Sequence, residues 1–433
     1  MIFARSFFAL FALIFLAAVS PAAGSSTAPA TALTAEEQRL MAAVEAGKAD
    51  FAADLGRAVA IDSATENLAG VRQVGELFRG QLAALGFDSR FVPLPVATGR
   101  AGHLVAEHRG TMGKRVLLIG HLDTVFPGAN FKRDGDQVSG AGVADMKGGD
   151  VVLIHALRAL HRAGLLADTQ IIVVMSGDEE LPGSPLAVSR RDLLDAARRS
   201  DVALAFEGAI ENTGTVARRG FVAWDLEVQG ATGHSSGMFS AAMGSGAVFE
   251  TARILSGFYD QLHTMDGITM NPALIVGGTT AELTATGGTV TGKANIIAQR
   301  VLVHGDLRYL SNEQLAEARA KMEAIVAKHL PRTSAELKFN DNGYPAMAPT
   351  PANYALLAQL DRASRDLGYG AITAFDPRGR GAGDIAFVSP PLPGLDGLGL
   401  GGKGEHTIHE TSELTRAPEL VKRAALLIYR LTR

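Results

Sequence analysis

Apolar residues gather into runs, and the ends of those runs carry reactive side chains. Residues 116–120 lead into His121-Leu122-Asp123, and residues 142–144 into Asp145-Met146-Lys147-Gly148-Gly149. Residues 171–175 lead into Asp178-Glu179-Glu180, and residues 202–206 into Glu207. Three of these four runs read as buried strands. Between about residues 88 and 201 such runs alternate with helical patterns, including a helix candidate at 150–163 between two strand candidates. That alternation predicts an α/β fold with a mainly parallel sheet flanked by helices. Upstream, residues 34 to about 85 read as mostly helical. Leu40, Val44, Phe51, Leu55 and Val59 recur at helical spacing, and Thr34 with Glu37 forms a capping box in which each side chain satisfies a free N–H of the first turn.

The rhythm changes further on. Residues 221–228 read as a strand, 240–262 as a helix, 274–278, 288–293 and 299–309 as strands, and 312–330 as a helix. This order predicts a small α+β (ferredoxin-like) domain with one sheet and two helices. The α/β character resumes from about residue 333, through a helix near 354–367 and a last one near 418–431. The expectation is therefore one domain formed by residues 34–212 and 329–433, with a second, 213–328, inserted into it.

Composition narrows the chemistry. The 433 residues carry a formal charge of −4, which leaves no basic footprint for nucleic acid. With no cysteine, disulfides and thiolate metal sites are excluded, so any metal must be held by histidine and carboxylate. At the N-terminus, Arg5 precedes an apolar run at residues 6–19 and then Ser20-Pro21-Ala22-Ala23-Gly24. This is the pattern of a signal peptide over residues 1–24. The run is short for a spanning helix, so no stable membrane insertion is expected. Residues 25–33 then read as a leader, and the expected compartment is periplasmic or secreted.

Taken singly, the polar clusters have ordinary explanations. His121 fits a core histidine, and Asp145 before a helix fits an N-cap. Asp178, Glu179 and Glu180 fit a solvated acidic loop, and Glu207 a surface carboxylate. The Gly-rich stretch 401–410, with His406 and His409, fits a flexible loop. What joins them is position. Ligands in open α/β sheets bind at the carboxyl ends of strands, and histidine with carboxylate suits a divalent cation.

In this order, and with a domain inserted before the last, H-x-D, D-x-K-G-G, D-E-E, a lone Glu and a late Gly-His segment resemble the M20 family of metallopeptidases, in its glutamate carboxypeptidase branch. The resemblance implies two divalent metal ions, zinc first, with cobalt or manganese also suited. Asp145 would bridge them, His121 and Glu207 would complete one site, and Glu180 and His406 the other. Asp123 would orient His121, Glu179 would be the general base, and a cis peptide would follow Asp145. Gly230-Ala231-Thr232-Gly233-His234-Ser235 resembles the stretch whose histidine reaches the partner subunit's site to stabilise the oxyanion, which makes the inserted domain a dimerisation domain and the protein a homodimer. Asn295 and Arg308 resemble positions that bind the substrate's free carboxylate.

The implied activity is hydrolysis of an amide beside a C-terminal carboxylate in a small peptide or N-acyl-amino acid. An N-acyl-amino-acid deacylase or a dipeptidase uses the same scaffold. The intact Glu179 and full ligand set argue against a non-catalytic periplasmic binding protein. The final motif departs from the family pattern. It reads His406-Thr407-Ile408-His409-Glu410-Thr411, without the usual aromatic, and His409 stays open as the alternative ligand.

Overall fold

Three parallel strands place the reactive run-ends side by side. The computed structural model describes residues 31–284, 286–340, 342–389 and 391–433. The expected signal peptide, and all but the last three residues of the leader, lie outside the described residues. Strands β1 (Asp88–Pro93), β2 (Gly102–His108), β3 (Met112–His121), β4 (Thr169–Ser176) and β5 (Val202–Ala205) join a late two-residue strand at Gly394–Leu395 in one six-stranded sheet. β4 and β5 flank β3, and both pairings are parallel, with His121 opposite Ser176 and Ile119 opposite Ala205. The strand at 394–395 pairs parallel with β5. β1 and β2 make an antiparallel edge, so the sheet is mixed, with its parallel part where the polar run-ends lie.

The expected capping box opens α1 (Ala35–Gly47), with both reciprocal bonds between Thr34 and Glu37 present. Helix α2 (Lys147–Arg162) is buried along nearly its whole length, and the last helix of the chain, Ala417–Leu431, packs against it. Gly148 and Gly149 explain how α2 can begin so near the sheet. A β-carbon on Gly149 would stand 1.9 Å from the Phe206 carbonyl oxygen, and one on Gly148 2.2 Å from that of Val143.

The second sheet is antiparallel and four-stranded. It contains β6 (Gly220–Gly230), β7 (Thr269–Gly278), β8 (Arg300–Tyr309) and β9 (Thr333–Asn340), in the order β7-β8-β6-β9. Burial alternates along β6, as period-2 patterning requires when one face is covered. Val222, Trp224, Leu226 and Val228 meet Ile254 and Phe258 of α3 (Gly246–Leu262) and Ala318 and Met322 of α4 (Asn312–Val326) in a separate core. Trp224 and Phe258 pack edge to face at 5.8 Å.

The junctions differ from the expected 213 and 328. Thr213–Gly214 pairs with Thr373–Ala374 in a small parallel ribbon, and β9 belongs to the smaller sheet although it follows residue 328. The outgoing and returning chains run together, with Arg218 bridged to Met347 and the Phe221 N–H donating to the Tyr344 carbonyl. Among the described residues no helix is long and apolar enough to cross a membrane.

Helix propensity alone favours alanine over glycine by about 1 kcal/mol. The close approach at Phe206 reverses that sign. Gly149→Ala is expected to destabilise the fold by about 1–3 kcal/mol, as overpacking does, seen as a lower denaturant midpoint. A variant of raised midpoint would show that α2 has room to move away.

Candidate metal centre

His121 ends β3, Glu179 and Glu180 follow β4, and Glu207 follows β5, so the parallel register alone brings them to one sheet edge. Asp145 enters from the loop before α2. The expected alternative, that Asp145 caps this helix, does not hold: Met146 is at the cap position, with no side-chain cap. The Asp145 carboxylate instead faces two ways. One oxygen is 3.2 Å from His121 Nε2 and the other 3.0 Å from His406 Nε2. Glu207 lies 3.8 Å from His121 Nε2, and Glu180 3.3 Å from His406 Nε2. The donor atoms of His121, Asp145 and Glu207 lie within 4.8 Å of one another, as do those of Asp145, Glu180 and His406. Those of His121, Glu179 and Glu180 do too, which puts Glu179 beside two of the candidate ligands. The peptide between Asp145 and Met146 is cis. His406 has the left-handed backbone conformation, φ 59°, uncommon for a side chain with a β-carbon.

Electrostatics favour a cation here. Burial pushes Glu207 up to about 7 against the pull of Arg218. Burial also raises Glu179 well above the usual carboxylate range, and raises Glu180 despite its hydrogen bond with His406. The bonds to Asp145 and Glu180 push His406 up to about 11. Burial would lower His121, but Asp123 and Asp145 hold its imidazole well above the ordinary value. Acids this close oppose one another's ionisation, and a divalent cation relieves that opposition. Two imidazoles and the carboxylates, with no thiolate, fit a pair of such ions.

Carboxylates also fix the loops that bear the ligands. The Asp123 side chain accepts the N–H groups of Glu179 (3.0 Å) and Glu180 (3.1 Å) and the Thr65 hydroxyl (2.7 Å). His121 Nδ1 is 3.0 Å from the Asp123 carbonyl and 3.6 Å from its carboxylate. Asp123 therefore meets the imidazole chiefly through its backbone, while its side chain holds the Glu179–Glu180 turn. Glu410 does the same for Asp145, accepting N–H bonds from Gly142 (2.8 Å), Ala144 (2.8 Å) and Asp145 (2.9 Å).

Asp178 turns away from the ligands into a buried cluster. It accepts from Arg190 (2.6 Å), Ser189 (2.5 Å) and the Gly183 N–H (2.8 Å). Arg190 also donates to the Tyr344 hydroxyl, which donates to the Glu179 carbonyl at 2.5 Å. The sequence reading named none of these partners: Gly183, Ser189 and Arg190 follow Asp178 without a recognisable spacing, and Tyr344 lies more than 150 residues away.

The remaining expected residues lie elsewhere. His409 is exposed on a separate hollow beside Phe126 and Pro127 and belongs to neither triad. His234 is exposed, with Nδ1 2.8 Å from the Ser236 hydroxyl, and the Asn295 carbonyl accepts the Ser235 N–H. Arg308 bonds Asp306 at 3.2 Å and lies over the Phe221 ring. None of these four lines the cavity of about 710 Å³ onto which the triads open.

A sheet of this kind, with paired ligand triads at its parallel edge, defines a metal-dependent peptidase or amidohydrolase. Residues 117–431 match the profile of peptidase family M20/M25/M40, and the chain belongs to that family. It is 27% identical over 386 residues to carboxypeptidase G2 of Pseudomonas sp. (strain RS-16), covering 86% of this chain and 87% of that one. In fold it is similar to aminopeptidase PepT from Bacillus cereus (TM-score 0.68, 17% identity, 89% of this chain and 99% of that one). It is also similar to the YXEP protein of Bacillus subtilis, described as a dinuclear metal-binding peptidase of the M20 family (TM-score 0.62, 15% identity, 90% and 99% covered).

Glu410 offers a direct check on the loop that presents Asp145. A glutamine there turns an NH₂ group toward at least one of the three N–H donors, whichever way it sits. Glu410→Gln is expected to weaken metal binding by about 10- to 100-fold in chelator competition, the usual effect of losing a ligand's supporting partner. Unchanged affinity would mean that Asp145 keeps its place without this clasp.

Proposed function

We propose that this protein is a zinc-dependent exopeptidase acting on amides beside a free terminal carboxylate, with glutamate carboxypeptidase activity, and that it works as a homodimer. The observation that carries the reading is the pair of triads sharing Asp145, with Glu179 buried beside them. His121, Asp145 and Glu207 would hold one ion, and Asp145, Glu180 and His406 the other. Such a pair, when bound, supplies Lewis acidity and lowers the pKa of a water toward neutrality.

The chain's own groups do the rest. Glu179 takes the proton of the attacking water and returns it to the leaving nitrogen, serving as base and then acid. Asp123 keeps Glu179 and Glu180 in register. Arg308 and Asn295 hold the terminal carboxylate, which a planar guanidinium meets with two parallel hydrogen bonds. His234 stabilises the oxyanion. These three residues lie away from the cavity of their own chain, so in this reading a second subunit brings them. The signal peptide read from residues 1–24 supports a periplasmic or secreted enzyme.

Activity is tested on metal-reconstituted protein with N-acyl-amino acids and dipeptides ending in free Glu, Ala, Leu or Arg. Preference for terminal Glu supports the carboxypeptidase reading, and faster turnover of the other acyl-amino acids or of dipeptides replaces it with a deacylase or dipeptidase. Glu179→Gln is expected to keep its metal content by elemental analysis while kcat falls by about 100-fold or more. Wild-type turnover in that variant removes the base assignment. For the dimer, mixing inactive Glu179→Gln and His234→Ala chains should restore part of the activity. No recovery under proven subunit exchange would rule out a cross-subunit role for His234.

A further inference from the structure

Beside the ligand Glu207 the cavity wall carries a guanidinium that no carboxylate neutralises. Arg380 is held in place by neutral groups. Its Nη2 donates to the Gly208 carbonyl at 2.5 Å, its Nε donates to the Thr215 hydroxyl at 3.1 Å, and its plane lies over the Phe375 ring at 5.5 Å. Among the described residues it makes no ion pair, and Nη1 has no hydrogen-bond partner in the protein. Its neighbour Arg218 is differently placed, with Asp396 at 2.5 Å and Glu207 at 3.6 Å. The nearby acids are therefore committed to Arg218, apart from the exposed Glu405. Burial and the positive charge of Arg218 both weigh against the Arg380 proton. A partly buried cation without a counter-charge is costly to hold, and such a group lining a substrate cavity suits an anionic ligand.

We propose that Arg380 receives a second carboxylate of the substrate, one borne by the side chain or acyl arm that fills this cavity, apart from the terminal carboxylate assigned to Arg308 and Asn295. The proposal rests on the amide-hydrolase reading and makes its substrate class dicarboxylic. The unused Nη1 and the second N–H of Nη2 form a planar fork that matches one carboxylate. Glu211, Glu405 and Glu413 on the same wall oppose a more highly charged anion such as a phosphate. Arg380 would then decide which amides are accepted, leaving the chemistry of cleavage to the ligands and Glu179.

The test is calorimetric titration of the full, metal-reconstituted protein with matched pairs: glutamate against glutamine for a carboxylate on the amino-acid side, and succinate against succinamate for one on the acyl side. At least one dicarboxylate should bind about tenfold or more tighter than its amide partner, as a charge-assisted fork implies. The pair that shows the difference tells which side of the scissile bond the cavity takes. Arg380→Gln should reduce that preference to about twofold or less, and Arg308→Gln should leave it standing. If Arg380→Gln does not melt cooperatively, Arg380→Lys carries the test, since it keeps the charge and loses the fork, and its preference should fall between the two. A wild-type protein without preference in either pair overturns the proposal, as does an Arg380 variant that keeps it. Binding is read here without turnover, so a protein that cleaves nothing in the substrate screen defeats the earlier reading and still leaves these ratios measurable.

Discussion

The two-faced carboxylate of Asp145 is the constraint on which the site depends. One oxygen must meet His121 at the end of a sheet strand, and the other must meet His406 on a loop reached more than 250 residues later. A carboxylate can do this only if its backbone is fixed, since a small rotation would satisfy one side and abandon the other. Glu410 fixes it by collecting three N–H groups of its loop, and Gly148 and Gly149 let α2 start where the loop requires. The segment that bears His406 also bears Glu410, so the loop that supplies one donor steadies another.

Crowded acids at the sheet edge would repel one another without compensation, and the protein compensates them unequally. Asp123 and Asp178 are fully buried yet saturated with N–H, hydroxyl and guanidinium donors. They serve as anchors. Glu179, Glu180 and Glu207 have fewer donors, and burial raises all three. The division between anchors and reactive groups is thus set by how many hydrogen bonds each carboxylate accepts.

Much of this was legible in the sequence because run-ends and strand register are local properties. The apolar runs at 116–120, 171–175 and 202–206 form adjacent parallel strands, so the histidine and acids that end them had to meet. The sorting of Asp178, Glu179 and Glu180 was not legible in full. Adjacent acids have the same local pattern, and what separates them is Arg190, Ser189 and the Asp123 carboxylate. Strand β9 was missed although Ala335, Leu337 and Phe339 alternate with polar residues, because a short period-2 run does not announce which sheet it joins. Glu410, Arg218 and Arg380 belong to long-range pairings that no spacing encodes. His234, Asn295 and Arg308 matched a pattern by resemblance alone, and nothing in their local spacing ties them to the cavity.

Tyr344 lies where the chain returns from the smaller sheet, its ring stacked on Phe221 of the outgoing strand. Its hydroxyl holds the Glu179 carbonyl and receives Arg190. The junction between the two sheets and the turn carrying Glu179 are therefore clasped by one buried phenol. A swing of the smaller sheet about its paired connectors must either break that clasp, at roughly 1 kcal/mol or more for a buried hydrogen bond, or drag the turn with it. Movement of the smaller sheet and displacement of the Glu179 turn are thereby coupled mechanically.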